Sequence, residues 1–315
     1  MSHGARVWTA LVTVYVIWGS TYLGIAYAGE TIPPLFAAST RFITAGLLMT
    51  ALVVWARNGT LRAPRNATLS AMLIGVLLPG ANSVLFFAER NVPTGLASLI
   101  IASVPLWVMV MRLAIGHERL PWQVLAGVGV GFAGVAVLAQ PSGGAKAYGI
   151  GLCVLSAVMW STGSYLSSRL PMPEDPFAAT AIEMLTGGFV MLPFALFTVH
   201  NFSPSTASIL GWIYLVIFGS IVGYTAYVWL LANAPLGLVS TYAYVNPVVA
   251  ITLGVLFRGE QLTWRLLIGA AIVVVAVAAV VRQEQVRRQV CLTARCCPAT
   301  WAWRSRSAAR SRCGA

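Results

Sequence analysis

Residues 91–127 read NVPTGLASLIIASVPLWVMVMRLAIGHERLPWQVLAG, and residues 233–269 read NAPLGLVSTYAYVNPVVAITLGVLFRGEQLTWRLLIG. In register, 142 residues apart, Asn91 meets Asn233, Pro93 meets Pro235, Gly95 meets Gly237, Pro105 meets Pro247, Glu118 meets Glu260 and Trp122 meets Trp264. Two apolar stretches match by composition alone at Val, Leu and Ala. These match at Asn, Pro, Gly, Glu and Trp, residues with particular backbone and polar demands, so the chain carries a duplicated structural unit.

Outward from the two copies the chain is apolar throughout. Of its 315 residues, 58% are hydrophobic and 9% charged, which leaves too few polar side chains to cover a soluble globule of that size. A helix that crosses a bilayer needs about 20 apolar residues. Ten such segments are present, near 8–28, 35–56, 69–88, 94–115, 122–140, 148–168, 178–199, 209–230, 236–257 and 264–281. The two-residue alternation of a membrane barrel is absent. The sequence therefore predicts an all-α integral membrane protein of ten transmembrane helices. Five fall in a first repeat over 1–140 and five in a second over 141–281, with a basic, disordered cytoplasmic tail over 282–315.

A unit of five helices enters the membrane upside down on its second occurrence, so the two units are expected to be inverted repeats. With the N-terminus inside, the inside segments carry a net charge of +11 and the outside segments +1. Most of the excess lies in the tail and in the loop bearing Arg57, Arg62 and Arg65. The positive-inside rule then predicts that both termini are cytoplasmic.

The net charge of +12 belongs to these membrane flanks and the tail. It forms no folded basic face, which argues against a nucleic-acid partner. Four of the five cysteines, Cys291, Cys296, Cys297 and Cys313, lie in the tail and Cys153 lies in a span, so no disulfide framework is expected. His3, His117 and His200 lack metal-ligand spacing, and neither metal nor cofactor is expected. Ala26-Tyr27-Ala28 has the form of a signal-peptide cleavage site. Yet Trp18-Gly19-Ser20-Thr21 returns 142 residues on as Trp160-Ser161-Thr162-Gly163, so the first span is expected to stay in the fold.

Polar groups within the spans are the candidates for function. Tyr15, Trp18 and Tyr22 share one face of the first span. Hydrocarbon offers no partner to indole and phenol groups, so this stripe is expected to face the bundle interior or a cavity. Arg41 lies roughly 12 Å inside the second span, where it either snorkels to the outer surface or faces a site. Glu183 holds the matching place in the seventh span, at the opposite depth, so no direct pair with Arg41 is expected. Glu89 ends the third span, either as a solvated carboxylate or as the partner of Arg41.

Pro105 and Pro247 fall near the middles of the fourth and ninth spans and predict hinges there, as structural kinks or as edges of a site at the repeat interface. Glu118 and Glu260 sit in short turns, where each is expected to meet the positive end of the helix that follows it. The candidate substrate cavity draws Trp18, Tyr22 and Asn82 from the first half. From the second half come Trp160, Tyr224, Tyr227, Tyr242, Tyr244 and Asn246. Arg41, Glu89 and Glu183 are the ionisable candidates for coupling. Ile100 and Val104 oppose Tyr242 and Asn246 in the repeat register, an asymmetry that an asymmetric ligand would use. The fifth and tenth spans, one rich in Gly127 and Gly131 and the other almost pure Val, Ala and Ile, suit outer support or a homodimer face.

These residues point to a known family. Trp18-Gly19-Ser20-Thr21-Tyr22, Pro34 with Arg41-Phe42, Asn91-Val92-Pro93-Thr94-Gly95, Ala181-Ile182-Glu183-Met184, and Tyr242-Ala243-Tyr244-Val245-Asn246-Pro247 with Gly259-Glu260 carry the likeness. Over about residues 7–281 the chain resembles the EamA branch of the drug/metabolite transporter superfamily. The resemblance implies ten helices in two inverted units, with helices five and ten outside a central cavity. It also implies secondary transport: efflux of small amino-acid-like or amphipathic metabolites across the bacterial inner (plasma) membrane by alternating access. A small-molecule substrate and the lipid bilayer are then its partners.

No Gly-x4-Gly-Lys-Ser/Thr loop is present to bind a nucleotide, so energy would come from a gradient, exchange or passive flow. An intramembrane enzyme needs clustered carboxylates or an activated Ser or Cys. The eight acidic residues are scattered apart from Glu174-Asp175, and no enzyme is expected. A non-transporting sensor or assembly subunit is the other reading.

Overall fold

A computed structural model of the chain describes residues 2–56, 61–118, 120–138, 145–199, 202–239 and 241–293, and every regular element among them is a helix. Among the described residues seven helices are long and apolar enough to cross a membrane: His3–Ala28, Pro34–Trp55, Arg65–Ala88, Thr94–Ala114, Ala147–Ser167, Pro176–Leu196 and Thr206–Asn233. Three shorter apolar helices cover Trp122–Leu138, Val245–Arg258 and Leu266–Ala279. The helical segments are α1 (His3–Ala28), α2 (Pro34–Ala51), α3 (Arg65–Ala88), α4 (Thr94–Ile101), α5 (Val104–Ala114), α6 (Trp122–Leu138) and α7 (Ala147–Ser167). They continue as α8 (Pro176–Leu196), α9 (Thr206–Tyr214), α10 (Thr225–Asn233), α11 (Leu236–Val239), α12 (Tyr242–Arg258) and α13 (Trp264–Thr293). Wider, π-helical turns extend α2 over Leu52–Ala56 and join α9 to α10 over Leu215–Tyr224.

Local chemistry fixes several helix ends. The hydroxyls of Ser2 and Ser205 accept from the backbone N–H of Ala5 and Ser208, and the Asp175 carboxylate accepts from Phe177 just after Pro176 opens α8. Each satisfies a donor that a helix start leaves unpaired. Gly259 ends α12 in the left-handed region at φ 64°, a conformation open to glycine at little cost. The α13 helix continues past Arg282 to Thr293, beyond the span end near 281 that hydropathy suggests, because Gln, Glu and Arg continue a helix as well as Val does. The rest of the tail expectation, residues 294–315, lies outside the described residues.

The core contact joins α2 to α8 through glycine. A Cβ on Gly46 would stand 2.8 Å from Cγ of Leu185, and one on Gly188 would stand 2.7 Å from Cγ1 of Ile43. In the 142-residue register Gly46 matches Gly188 and Ile43 matches Leu185. The two helices thus offer each other the same face, as parts related by a two-fold axis do. The α3 helix joins this contact, because a Cβ on Gly75 would meet the Glu183 carbonyl oxygen at 2.4 Å and one on Gly187 would meet the Gly75 carbonyl at 2.4 Å. Lipid is as apolar as Leu, so close van der Waals contact at small residues drives this association more than water exclusion does.

The α6 and α13 helices pack on one another to one side of this core. Gly134 lies against Ile272 and Val273, and Gly269 lies against Leu138. One glycine face of α6 is thereby covered within the chain. Trp122 and Trp264, identical in the two copies, are 73% and 81% exposed at helix starts, positions suited to the membrane interface.

The glycine contacts predict a clear contrast in stability. Gly75→Ala forces a methyl against backbone and should cost about 1–3 kcal/mol. Gly151→Ala, with nothing within 4 Å of its Cβ, should stay within about 0.5 kcal/mol of the parent. Thermal unfolding in detergent reads the difference, and equal melting temperatures would remove the α3/α8 contact from the account.

Candidate functional site

The aromatic side chains from the two halves converge. Trp18 on α1 and Trp160 on α7, matching positions in the repeat, meet edge to face with ring centroids 5.2 Å apart. Tyr227 of α10 lies 4.7 Å from the Trp18 ring and Tyr242 of α12 lies 5.4 Å from it. Tyr224 approaches the Trp160 ring at 6.3 Å. Such tilted and edge-on pairs place positive ring edges on negative faces, each worth roughly 0.5–1.5 kcal/mol beyond burial.

The neighbours of Trp18 explain how it fits. Its indole N–H donates to the Gly219 carbonyl at 3.2 Å, inside the π-helical stretch, where backbone geometry departs from the α-helical ladder. Gly223 is bare where a Cβ would stand 2.7 Å from the Trp18 indole nitrogen. The corresponding nitrogen of Trp160 completes no hydrogen bond among the described residues, nor does the Tyr242 hydroxyl. The Tyr227 hydroxyl pairs with Ser164 at 2.7 Å.

Beside this cluster lies a narrow cavity of about 40 Å³, room for about three water molecules. Trp18, Tyr22, Asn82, Trp160, Tyr224, Tyr242 and Asn246, seven of the nine substrate-site candidates, line it together with Arg41. Tyr227 is packed behind the rings, and the side chain of Tyr244 lies outside the described residues. Thr21, Phe42, Leu85, Ile101, Ser156 and Gly219 complete the wall; Thr21 and Phe42 belong to the sequence motifs quoted above, and the other four lie outside the sequence candidates. Gly219 and Gly223, four apart in a span, were the available signal, since small residues mark close helix approach. With its amide turned to donate, Asn246 reaches the carbonyls of Tyr242 and Tyr15 at 3.2 Å and so ties α12 to α1.

The three ionisable candidates do not form one cluster. Arg41 is 2% exposed. Its Nε donates to the Ser220 hydroxyl at 2.8 Å and its Nη1 to Oδ1 of Asn82 at 3.0 Å. It does not snorkel, and among the described residues no carboxylate reaches it within 4.0 Å. The suggested Arg41–Glu89 pair is therefore not made, because neutral side chains already take two of the guanidinium nitrogens. Glu183 is buried with Oε2 accepting from the Tyr224 hydroxyl at 2.8 Å while Oε1 is unbonded.

Glu89 sits just past α3, apart from the cavity, facing two pockets of about 220 and 210 Å³ shared with Arg90 and Arg258. Both of its carboxylate oxygens are shut off from solvent without a hydrogen bond. Burial holds its carboxyl well above the usual carboxylate range and the Glu260 charge adds to that, while Arg258 and Arg41 pull the other way.

Each turn glutamate acts away from the helix that follows it, which corrects the sequence expectation. Glu260 accepts from the N–H and hydroxyl of Thr94 and from the N–H of Gly95, at 2.8, 2.6 and 3.1 Å. It thus caps α4 in the other half, whose own preceding residue Pro93 offers no side-chain cap. The start of α13 is met by the Thr263 hydroxyl instead. Glu118 accepts from Arg112 at 2.7 Å and also pairs with Arg169 beyond α7.

The hinge candidates differ from each other. The fourth span breaks at Ala102-Ser103, with Pro105 in the first turn of α5, and the Ser103 and Ser161 hydroxyls donate to the Ile100 and Val104 carbonyls. In the ninth span α11 ends at Val239 and α12 begins at Tyr242, so Pro247 lies inside a continuous helix.

A helical membrane bundle that encloses a small aromatic and polar cavity between two repeated units has the build of a solute carrier. The chain belongs to the EamA-like transporter family, which matches residues 7–140 and again 147–282. It is 37% identical over 263 residues to the inner membrane transporter YedA of Escherichia coli (strain K12), covering 81% of this chain and 83% of that protein. It is 26% identical over 294 residues to the "Probable terminal-alkyne amino-acid exporter" of Streptantibioticus cattleyicolor, covering 92% and 97% of the two chains. A solved crystal structure shares the fold with a TM-score of 0.65 at 23% identity, covering 91% of this chain and 99% of its own.

The Glu89 environment predicts a pH effect. A carboxyl raised above its unfolded value of about 4.5 favours the native state at low pH, and that contribution is lost as pH rises through the native value. The melting temperature of Glu89→Gln should therefore gain on that of the parent between about pH 5 and pH 8. A constant difference across that range would mean the carboxylate is solvated.

Proposed function

We propose that this chain is a ten-helix secondary transporter, two inverted five-helix units with both termini cytoplasmic. It exports small amino-acid-like or amphipathic metabolites across the bacterial inner membrane by alternating access. The observation that carries this reading is the meeting of Trp18 and Trp160. Matching residues of two inverted units touch only near the axis that relates them, and the cavity lies beside that contact. The rings of Trp18, Trp160, Tyr227 and Tyr242 act as a plug that must part for solute to pass.

The halves rock about the break before Pro105 and the stretch from Thr241 to Pro247. Glu89 and Glu183 are the groups that would couple solute to protons. The relative named "Probable terminal-alkyne amino-acid exporter" supports the solute class and the direction.

Flux from proteoliposomes, measured across amino acids and amphipathic amines with and without an imposed pH gradient, tests this reading. The parent should move at least one class, Trp160→Ala should slow it roughly tenfold, and Pro247→Ala should slow it as well. Glu89→Gln combined with Glu183→Gln should abolish any acceleration by the gradient. No flux of any solute through well-folded protein would favour the sensor or assembly reading. Full flux in Pro247→Ala would remove that residue from the mechanism, and unchanged acceleration in the double variant would remove the two glutamates.

A further inference from the structure

We propose that Arg41 is an anion subsite of the central cavity and that the solute it selects is an organic carboxylate with an apolar or aromatic body. This rests on the transporter reading and deepens it. Among the described residues the Arg41 charge has no close carboxylate partner. Arg41 is 2% exposed, a guanidinium stays protonated in proteins, and an unpaired charge in a low-dielectric interior is costly. Both of its hydrogen-bond partners, Ser220 and Asn82, are neutral. Glu89 influences it only at long range, and among the described residues no carboxylate lies within 4.0 Å.

The donors are also arranged for a ligand. Two of the five guanidinium N–H groups are used, which leaves three. Among the described residues Nη2 makes no hydrogen bond, and it passes so close to Gly219 that a Cβ there would stand 2.9 Å from it. The adjacent Nη1 holds one bond to Asn82 and a second N–H to spare. A planar edge of this kind matches the two oxygens of a carboxylate, which an isolated amine or a neutral amide cannot reproduce.

Ser220 and Asn82 fix the guanidinium in place, so little conformational freedom is lost when the ligand arrives. Phe42 backs the cation, its ring centroid 4.9 Å from Cζ. The rings of Trp18, Trp160 and Tyr224 line the same cavity as the guanidinium. A ligand that satisfies both the guanidinium and the rings carries a carboxylate and an apolar body. The narrow volume of about 40 Å³ means that the rings must part to admit that body.

Two kinds of anion could meet the cation, a solute carboxylate or an inorganic halide, and the probes separate them. Quenching of indole fluorescence would be followed as purified full-length protein is titrated with 3-phenylpropionate, its amide, L-phenylalanine, L-phenylalaninamide and chloride. The carboxylates should bind about tenfold more tightly than their amides, the scale of a charge-assisted hydrogen bond. Arg41→Gln should bring each pair to within about twofold, and Arg41→Lys should keep part of the preference because a point charge replaces the planar fork.

Equal binding of carboxylate and amide to the parent overturns the proposal, and that comparison needs no variant to fold. Unchanged preference in Arg41→Gln overturns it, as does no binding of either carboxylate at millimolar concentration. Chloride competing as well as the carboxylates would make this a halide site and also overturns it. Flux separates the two layers of argument. Proteoliposomes that move amphipathic amines with no carboxylate preference uphold the transporter and refute the subsite, whereas carboxylate binding without flux upholds the subsite and refutes the transporter.

Discussion

Hydrocarbon supplies no hydrogen-bond partner, and the rest of this structure follows from that constraint. A chain with 58% hydrophobic residues can present Val, Leu and Phe to lipid on every side, but its few polar groups have to find one another. Many Ser and Thr hydroxyls turn back to a carbonyl of their own helix, and others pair where the two repeats meet. Ser39 donates to the Gly188 carbonyl, Ser156 to the Ala81 carbonyl, and Arg41 to Ser220 and Asn82. Those bonds join helices of opposite halves, apart from the one between Arg41 and Asn82. Glycines let the backbones come close enough to make them.

Inverted repeats make a symmetric frame, and asymmetric details make a site within it. Trp18 and Trp160 occupy equivalent places, yet only Trp18 donates its indole proton, because the π-helical turn at 215–224 brings the Gly219 carbonyl to it. Arg41 and Glu183 are likewise equivalent in register, one a basic and the other an acidic residue. One is held by neutral partners and the other by Tyr224. The glutamates of the two turns divide their work in the same way. Glu260 caps α4 across the repeat boundary, while Glu118 gathers Arg112 and Arg169. The bonds of Glu260 to Thr94 and of Glu118 to Arg169 join the two repeats, whereas the pair of Glu118 with Arg112 stays within the first.

Most of the helical fold was legible because repetition and hydropathy are properties of the chain alone. A match at Asn, Pro, Gly, Glu and Trp identifies equivalent positions, and aromatic residues within apolar spans have few places to go. Trp18, Tyr22, Trp160, Tyr224 and Tyr242 accordingly line one cavity. What sequence could not supply was the contact partner of a charged group. Arg41 was open to Glu89 by depth alone, and only the packing of α2 against the π-helical stretch shows that Ser220 takes that place. Glu260 failed as a local cap for the same reason. The helix end in greatest need of it lies 166 residues earlier in the chain. The chemistry of Pro247 predicts a hinge in the ninth span, and the interruption of the helix there falls ahead of Tyr242, where the chain leaves α11.

In the proposed mechanism the cavity between the repeats opens in turn to each side of the membrane. Ile101 lines that cavity at the fourth-span break without holding any polar partner of the site. Ile101→Cys, on a background with the native cysteines replaced, can be challenged with a membrane-impermeant thiol reagent from each side of oriented vesicles. The account predicts modification from both sides, at rates that shift in opposite directions when solute is supplied on one side only. Modification from one side alone under every condition, or from neither, would contradict it.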